Sequence, residues 1–353
     1  MQSKCLKILA RLFVFLTYLQ RQALLSNKNL NRFVSLNSYS SKEKVLPKWE
    51  QDSQIIYDNE QAIYRLSPAY LETKYLHIRN ADGRMLSEST NWPDSYVLLS
   101  RPTCFNFPIK FYQSIEVSES IIALSSESYY HWLIEQLPVF LRIFNSFPHN
   151  LVVYNEDAPK YVLDFLDILG VESRPVGKFV RVENLLFTPR LKSAGSAISR
   201  DVSFLRDYFN ERFGTQRLVT LEKRIRVYIS RRKSTRSPAF ESALESYLTK
   251  LGWCVILAEN LSLLEQYSTF SNARVVMGLH GAGLSNIAFM PEKGEVIEIR
   301  ILIPGHFHGD YISNCYENLS AVAGHSYRRI QLRPQDFDLN QVPPEISAIL
   351  EVL

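Results

Sequence analysis

The stretch Val275–Arg300, VVMGLHGAGLSNIAFMPEKGEVIEIR, constrains the fold of this chain more than any other. Arg274–Met277 has the character of a short buried parallel strand. Gly278, Gly281 and Gly283 follow with His280 among them, and glycine lets a backbone approach a ligand closely. Ala282–Met290 predicts a short helix stopped by Pro291, with Gly294 in the next turn and Glu295–Ile299 as a second buried strand. Strand, glycine loop, helix, strand is a geometry that points free N–H groups and the positive end of a helix dipole at an anion. The spacing matches neither G-x-G-x-x-G nor a Walker A motif. On this stretch alone a phosphate site and a tight βα turn that binds nothing are equal readings.

A chain of 353 residues suits two domains or one large one, and 46% hydrophobic with 12% aromatic residues excludes global disorder. The net charge of +4 is slight, and neither a binding motif nor a strongly basic face points to nucleic acid. Cys5, Cys104, Cys254 and Cys315 contain no C-x-x-C pair, so they define no disulfide framework or zinc site and suit a reducing compartment. Ile8–Leu19 is apolar but interrupted by Arg11, and it is shorter than the about 20 residues that a membrane span needs. It reads as an amphipathic or peripheral helix with Arg11 and Arg21 on its polar side, or as an ordinary packed helix. A signal peptide would need a small-residue cleavage site, which does not follow cleanly.

Three regions result: an amphipathic and irregular segment over 1–54, an N-terminal domain over 55–214 and a C-terminal domain over 215–353. In the first domain Tyr96–Leu99, Ile115–Val117, Ile121–Leu124, Leu151–Tyr154 and Leu185–Phe187 predict strands. Tyr129–Phe144, Pro159–Leu169 before Gly170, and Val202–Phe213 before Gly214 predict helices. In the second, Arg224–Ser230 and Trp253–Leu257 join the two strands above. Pro238 opens a helix to Leu251, and Ser262 with Glu265 forms a capping box for another through Phe270. Strands alternating with helices indicate an α/β fold with a doubly wound parallel sheet.

Ligands of such sheets bind beyond the carboxyl ends of the strands. After Ser230 comes Arg231-Arg232-Lys233-Ser234-Thr235-Arg236; after Met277 comes the loop of His280, Gly281, Ala282 and Gly283; after Leu257 come Glu259 and Asn260. A basic cluster facing a helix N-terminus has the chemistry of a diphosphate site, although a solvated basic turn is the commoner fate of such a run. In Tyr129–Pro138, YYHWLIEQLP, His131 and Glu135 are neighbours on one helical face. A His held by a carboxylate can serve as a general base, or simply cap a structure. His306-x-His308-x-Asp310 has metal-ligand types without a further ligand cluster and reads as a loop. His77, His149 and His325 invite no functional role.

Three segments together resemble glycosyltransferase family 61. Tyr129–Pro138 is similar to the family's N-Y-Y-H-W-x-x-E-x-L-P-R-L. Val227–Arg236, VYISRRKSTR, is the second segment. In the third, Leu248–Gly252, Glu259–Gln266, His280–Asn286 and Val296–Ile299 follow the family's order. Phe240-Glu241 stands where the family has Asn-Glu, Val139 replaces an Arg, and Ser128 replaces an Asn.

The resemblance implies a GT-B architecture of two Rossmann-like doubly wound domains and a glycosyltransferase using a nucleotide-sugar donor, expected to be UDP-linked, on a glycan or polysaccharide acceptor. It implies an inverting, metal-independent reaction with no cofactor. Arg231, Arg236, His280, Gly281, Ala282, Gly283 and Asn286 would hold the donor diphosphate, Glu259 and Glu298 the nucleoside, and His131 with Glu135 would act as base. A non-catalytic nucleotide- or sugar-binding protein and a polysaccharide pyruvyltransferase are the alternatives. The expected setting is cytoplasmic with peripheral membrane contact. A Golgi or ER lumen is the alternative if the first segment is a targeting signal, where Asn260 and Asn318 stand in N-x-S sequons.

Overall fold

The computed structural model describes residues 33–34, 55–57, 62–86, 89, 108–115, 121–125, 127–188, 195–214, 224–234, 237–301, 314–333 and 341–351. Expectations for Ile8–Leu19, Tyr96–Leu99, Arg236 and His306–Asp310 lie outside these residues, as does Val117 at the end of the strand expected over Ile115–Val117. Among the described residues no helix is long and apolar enough to cross a membrane, and no group of three or more His, Cys, Asp and Glu side chains could hold a metal ion.

The glycine-loop stretch forms the centre of a five-stranded, wholly parallel sheet. Its strands lie in the order Cys254–Ile256, Ile225–Ile229, Ala273–Leu279, Glu295–Ile301 and Ser326–Leu332. In sequence terms this order is second, first, third, fourth, fifth. The last strand, Ser326–Leu332, alternates exposed and partly buried residues until Ile330, and this edge-strand pattern escapes a search for apolar runs. One face is closed by the helices Glu241–Lys250 and Pro344–Leu350. Phe240, Leu244, Leu248, Ile346 and Leu350 pack there on Tyr228, Met277, Ile297 and Ile299. Phe240 is fully buried, which accounts for an apolar residue at this position.

The other face receives Ala282–Phe289, which winds as a 3-10 helix. Phe289 meets Phe209 of the helix Ser199–Phe213 at 4.9 Å and Tyr267 of the helix Leu263–Ser271 at 5.5 Å between ring centroids. Ser262 and Glu265 make the capping box of that last helix as their spacing requires. Phe209 stacks on Phe165 at 6.5 Å, and Phe165 meets Trp132 at 5.7 Å. This aromatic run secures the segment around His131 to the parallel sheet.

The chain divides into two compact units that are discontinuous in sequence. The second comprises Glu127–Leu141, Pro159–Gly170 and Gly195–Leu353, so the His131 segment belongs with the parallel sheet although it precedes the residue 214 boundary expected from sequence. The first comprises Met1–Ser126, Arg142–Ala158 and Val171–Ala194. Among the described residues it carries two six-stranded mixed sheets where a single doubly wound sheet is expected. In one, Ser173–Val176, Val152–Asn155, Ile121–Leu124 and Leu185–Phe187 run parallel before Ala62–Leu66 and Ile55–Tyr57 join antiparallel. The other is built mainly of antiparallel neighbours around Ala69–Glu72. Leu71, Ile121, Val153, Val180 and Val182 fill the core of this unit.

His325 shows why an isolated histidine need carry no function. It is buried, and its Nε2–H donates to the Ile287 carbonyl at 3.0 Å, pinning the 3-10 helix to the start of the last strand. Burial pushes the imidazole pKa down to about 4, against the Ile287 hydrogen bond and with the help of nearby Arg206. The unfolded chain takes up this proton near pH 6.5 and the folded one only near 4, so stability falls as pH drops through that window. About 2 kcal/mol should be lost between pH 7 and pH 5 from this group. Denaturant titrations at the two pH values should show a smaller loss for His325→Gln, which keeps an N–H for Ile287. Equal losses in parent and variant would contradict the assignment.

Candidate active site

Strand order in the parallel sheet reverses between Ile225–Ile229 and Ala273–Leu279, the point beyond which ligands of such sheets bind. The turns leaving these two strands touch. Arg231 Nη1 donates to the His280 carbonyl at 2.8 Å. A Cβ at Gly281 would come within 3.4 Å of the Arg231 guanidinium carbon, so the cation lies along the loop backbone in space that a side chain would crowd. Gly281 itself is extended, with φ 171°, so room rather than conformation accounts for glycine here. Gly283 has a different reason: a Cβ there would stand 3.0 Å from Ile229 Cγ2, so it lets the helix close onto the strand.

The basic turn is held from behind by two buried carboxylates. Glu241 accepts from the Arg231 backbone N–H at 2.7 Å and from the Tyr228 hydroxyl at 3.0 Å. Glu245 accepts from the Ser230 hydroxyl and pairs with Arg232 at 3.1 Å. Burial raises the Glu241 carboxyl pKa, partly opposed by its bonds from Arg231 and Tyr228. Lys233 Nζ donates to Asn260 Oδ1 at 2.9 Å, which ties the third strand end to the other two. Glu259 lies exposed in that turn, and Ala282 is exposed on the glycine loop.

His280 turns its Nδ1 to Glu298, which is fully buried and also accepts from Arg300 and Tyr327. Burial pushes the Glu298 carboxyl up, but these three donors together outweigh it and hold it below the usual carboxylate range. Two features expected to meet a ligand directly are thus occupied inside the protein: the Glu298 carboxylate and the Asn286 side chain. Asn286 is fully buried. Its Nδ2 donates to Gln266 Oε1 at 2.8 Å and the Gly283 carbonyl at 3.1 Å, and its Oδ1 accepts from the Tyr129 hydroxyl at 2.8 Å.

Tyr129 leads into the other candidate centre. His131–Gln136 is a π-helical turn, and Leu137–Ser146 continues it as an α-helix. Pro138 explains the wide turn, because it has no N–H for the Ile134 carbonyl and its ring would clash there. His131 Nδ1 lies 2.9 Å from Glu135 Oε2, and Glu135 Oε1 accepts from the Gly195 N–H at 2.6 Å. The carboxylate is therefore aimed by the backbone, and it aims the imidazole in turn.

Aromatic edges connect the two centres within this unit. The Tyr130 ring stands edge-on to His131 at 5.5 Å and to Tyr316 at 5.7 Å, and Tyr316 is edge-on to His280 at 5.3 Å. The Tyr316 hydroxyl donates to the Gly281 carbonyl at 2.7 Å. Sequence reasoning missed Tyr316, Tyr327 and Gly195 altogether. No local pattern marks them, and only the fold brings them beside the motif residues. Gln266 and Glu241 stood inside the motif segments and were legible there, but without a role.

Residues 129–297 match the model of the family described as Glycosyltransferase 61, the family that the motif segments resemble. No curated protein matches the chain. The matched span contains His131, Glu135, Arg231, Gln266, His280 and Asn286, and ends one residue before Glu298.

The junction at Asn286 has a measurable weight. Tyr129→Phe should cost about 1 kcal/mol, and Asn286→Ala roughly 2 kcal/mol or more, because it leaves buried partners unpaired. Urea unfolding of the two variants measures both costs. An Asn286→Ala midpoint equal to the parent's would show that the junction does not hold the loop.

Proposed function

We propose that the chain is an inverting glycosyltransferase that moves a sugar from a uridine diphosphate-linked donor to a glycan or polysaccharide hydroxyl without a bound metal. The observation that carries this reading is the contact of Arg231 with the His280 carbonyl at the point where strand order reverses. It sets a permanent cation beside the glycine loop, where the charge of a departing diphosphate would develop. The parallel-sheet unit is then the nucleotide-binding domain of a GT-B enzyme. Arg236 and Ala282 are assigned to the same diphosphate, and Glu259 to the nucleoside. Asn286 and Glu298 serve the loop from behind, in keeping with their buried hydrogen bonds.

In this reading His131 is the base. Glu135 accepts its Nδ1–H, which leaves the Nε2 lone pair to take the proton of the attacking hydroxyl. The hydroxyl oxygen bonds to the anomeric carbon as the bond to the diphosphate breaks, and Arg231 and the loop amides meet the leaving charge. A non-catalytic binder would share the diphosphate contacts but leave the donor intact, so slow donor hydrolysis without acceptor separates the two.

Uridine diphosphate should raise the melting temperature with chelator present; a shift that needs manganese would contradict metal independence. Arg231→Ala should weaken that binding about 10–100-fold, the loss of one charged hydrogen bond, with Arg231→Lys recovering only part. His131→Ala should leave uridine diphosphate affinity unchanged and lower transfer roughly 10²–10⁴-fold. Parental turnover in His131→Ala would remove it from the mechanism.

A further inference from the structure

Glu298 lies at the centre of the Glu295–Ile301 strand with no solvent exposure, an expensive place for a carboxylate unless donors meet it. Arg300 supplies two, Nε to Oε1 and Nη2 to Oε2, each at 3.0 Å. The Tyr327 hydroxyl donates to Oε2, and His280 Nδ1 faces Oε1. An ionised carboxylate only accepts, so the hydrogen of this contact belongs to His280 Nδ1. Neutral His280 is thereby fixed in one tautomer, with a lone pair on Nε2.

That second nitrogen has no protein partner among the described residues, and the His280 side chain is 31% exposed. The surrounding backbone is equally fixed. Arg231 holds the His280 carbonyl, and Tyr316, edge-on to the imidazole, holds the carbonyl of Gly281. Three separate elements therefore orient one ring on an anion-binding type of loop.

We propose that Glu298, Arg300 and Tyr327 are positioning residues that lock His280 with Nδ1–H inward and Nε2 outward, so that a diphosphate entering the loop is met by Nε2 as it takes up a proton. The inference rests on the diphosphate-site reading above and extends it. A proton from solvent joins the Nε2 lone pair, which turns an acceptor into a charged N–H donor for a phosphate oxygen; no other bond changes. Glu298 and the arriving anion favour the imidazolium, while Arg300 and Arg231 oppose it. Of the other groups near the ring, the Tyr316 and Tyr327 phenols are held protonated by burial, and the Cys315 thiol is pushed up to about 12 by burial and by the Glu298 charge. They stay neutral, so the balance lies between two cations and two anions, and the ligand supplies the second anion.

Imidazole nitrogen NMR on the full chain reads the tautomer directly, with His280→Asn identifying the signal. The asparagine keeps an N–H for Glu298 and removes the outward nitrogen, so it should melt near the parent. The parent should show the Nδ1–H form at alkaline pH, and uridine diphosphate or inorganic pyrophosphate should convert it to the imidazolium. Calorimetry in buffers of different ionisation enthalpy should then show proton uptake in the parent that His280→Asn loses. Tyr327→Phe removes one donor from Glu298 and should move the His280 nitrogen signals. An Nε2–H tautomer would overturn the proposal, as would uridine diphosphate binding that leaves the His280 signals unmoved. If neither anion binds while the ring shows the Nδ1–H form, the diphosphate-site reading falls and the positioning by Glu298 stands.

Discussion

A parallel strand that ends at Leu279 must reverse within three residues if the next helix is to lie back on its own sheet. That tight return is the constraint on which the rest of this unit depends. It admits no side chain at Gly283 without crowding Ile229, and none at Gly281 without crowding Arg231. The strand Ile225–Ile229 is therefore pressed against the helix, and its following arginine against the loop. Asn286 then clamps the return, with Gln266 on one side and Tyr129 on the other. Each of these contacts joins segments far apart in sequence, and each is short-range in space.

The same junction explains why a segment more than 80 residues upstream of the basic turn belongs to this unit. Tyr129 reaches Asn286, Tyr130 reaches Tyr316, and Trp132 reaches the aromatic run that ends at Phe289. These three side-chain commitments flank His131, whose Nδ1 faces Glu135. A π-helical turn beside a proline gives that geometry. The His131 and His280 imidazoles share one arrangement, each turning Nδ1 to a carboxylate.

Sequence showed the parallel sheet well because its strands are apolar runs with glycine and capping signals at their ends. The capping box at Ser262 and the left-handed Gly170 and Gly252 fall where composition places them. The edge strand Ser326–Leu332 was not legible, since Arg328, Arg329 and Gln331 interrupt its apolar residues. In the first unit the strands at Ile121–Leu124, Val152–Asn155 and Leu185–Phe187 were legible as apolar runs, but the antiparallel strands between Ala62 and Leu86, of two to five residues, are too short for periodicity. At the site, residue types were readable and their duties were not. Asn286 and Glu298 look like ligand contacts in a motif, yet burial turns both inward. The residues they serve are fixed by Tyr316 and Tyr327, which carry no motif at all.

In the proposed function the Arg231 turn and the glycine loop form one anion site. Amide hydrogen exchange with and without uridine diphosphate, in chelator, tests it most directly. Slowed exchange confined to residues 231–234 and 280–284, with the first unit's sheets unaffected, is the expected result. Ligand binding that protects other segments and leaves both turns exchanging at their free rates would contradict it.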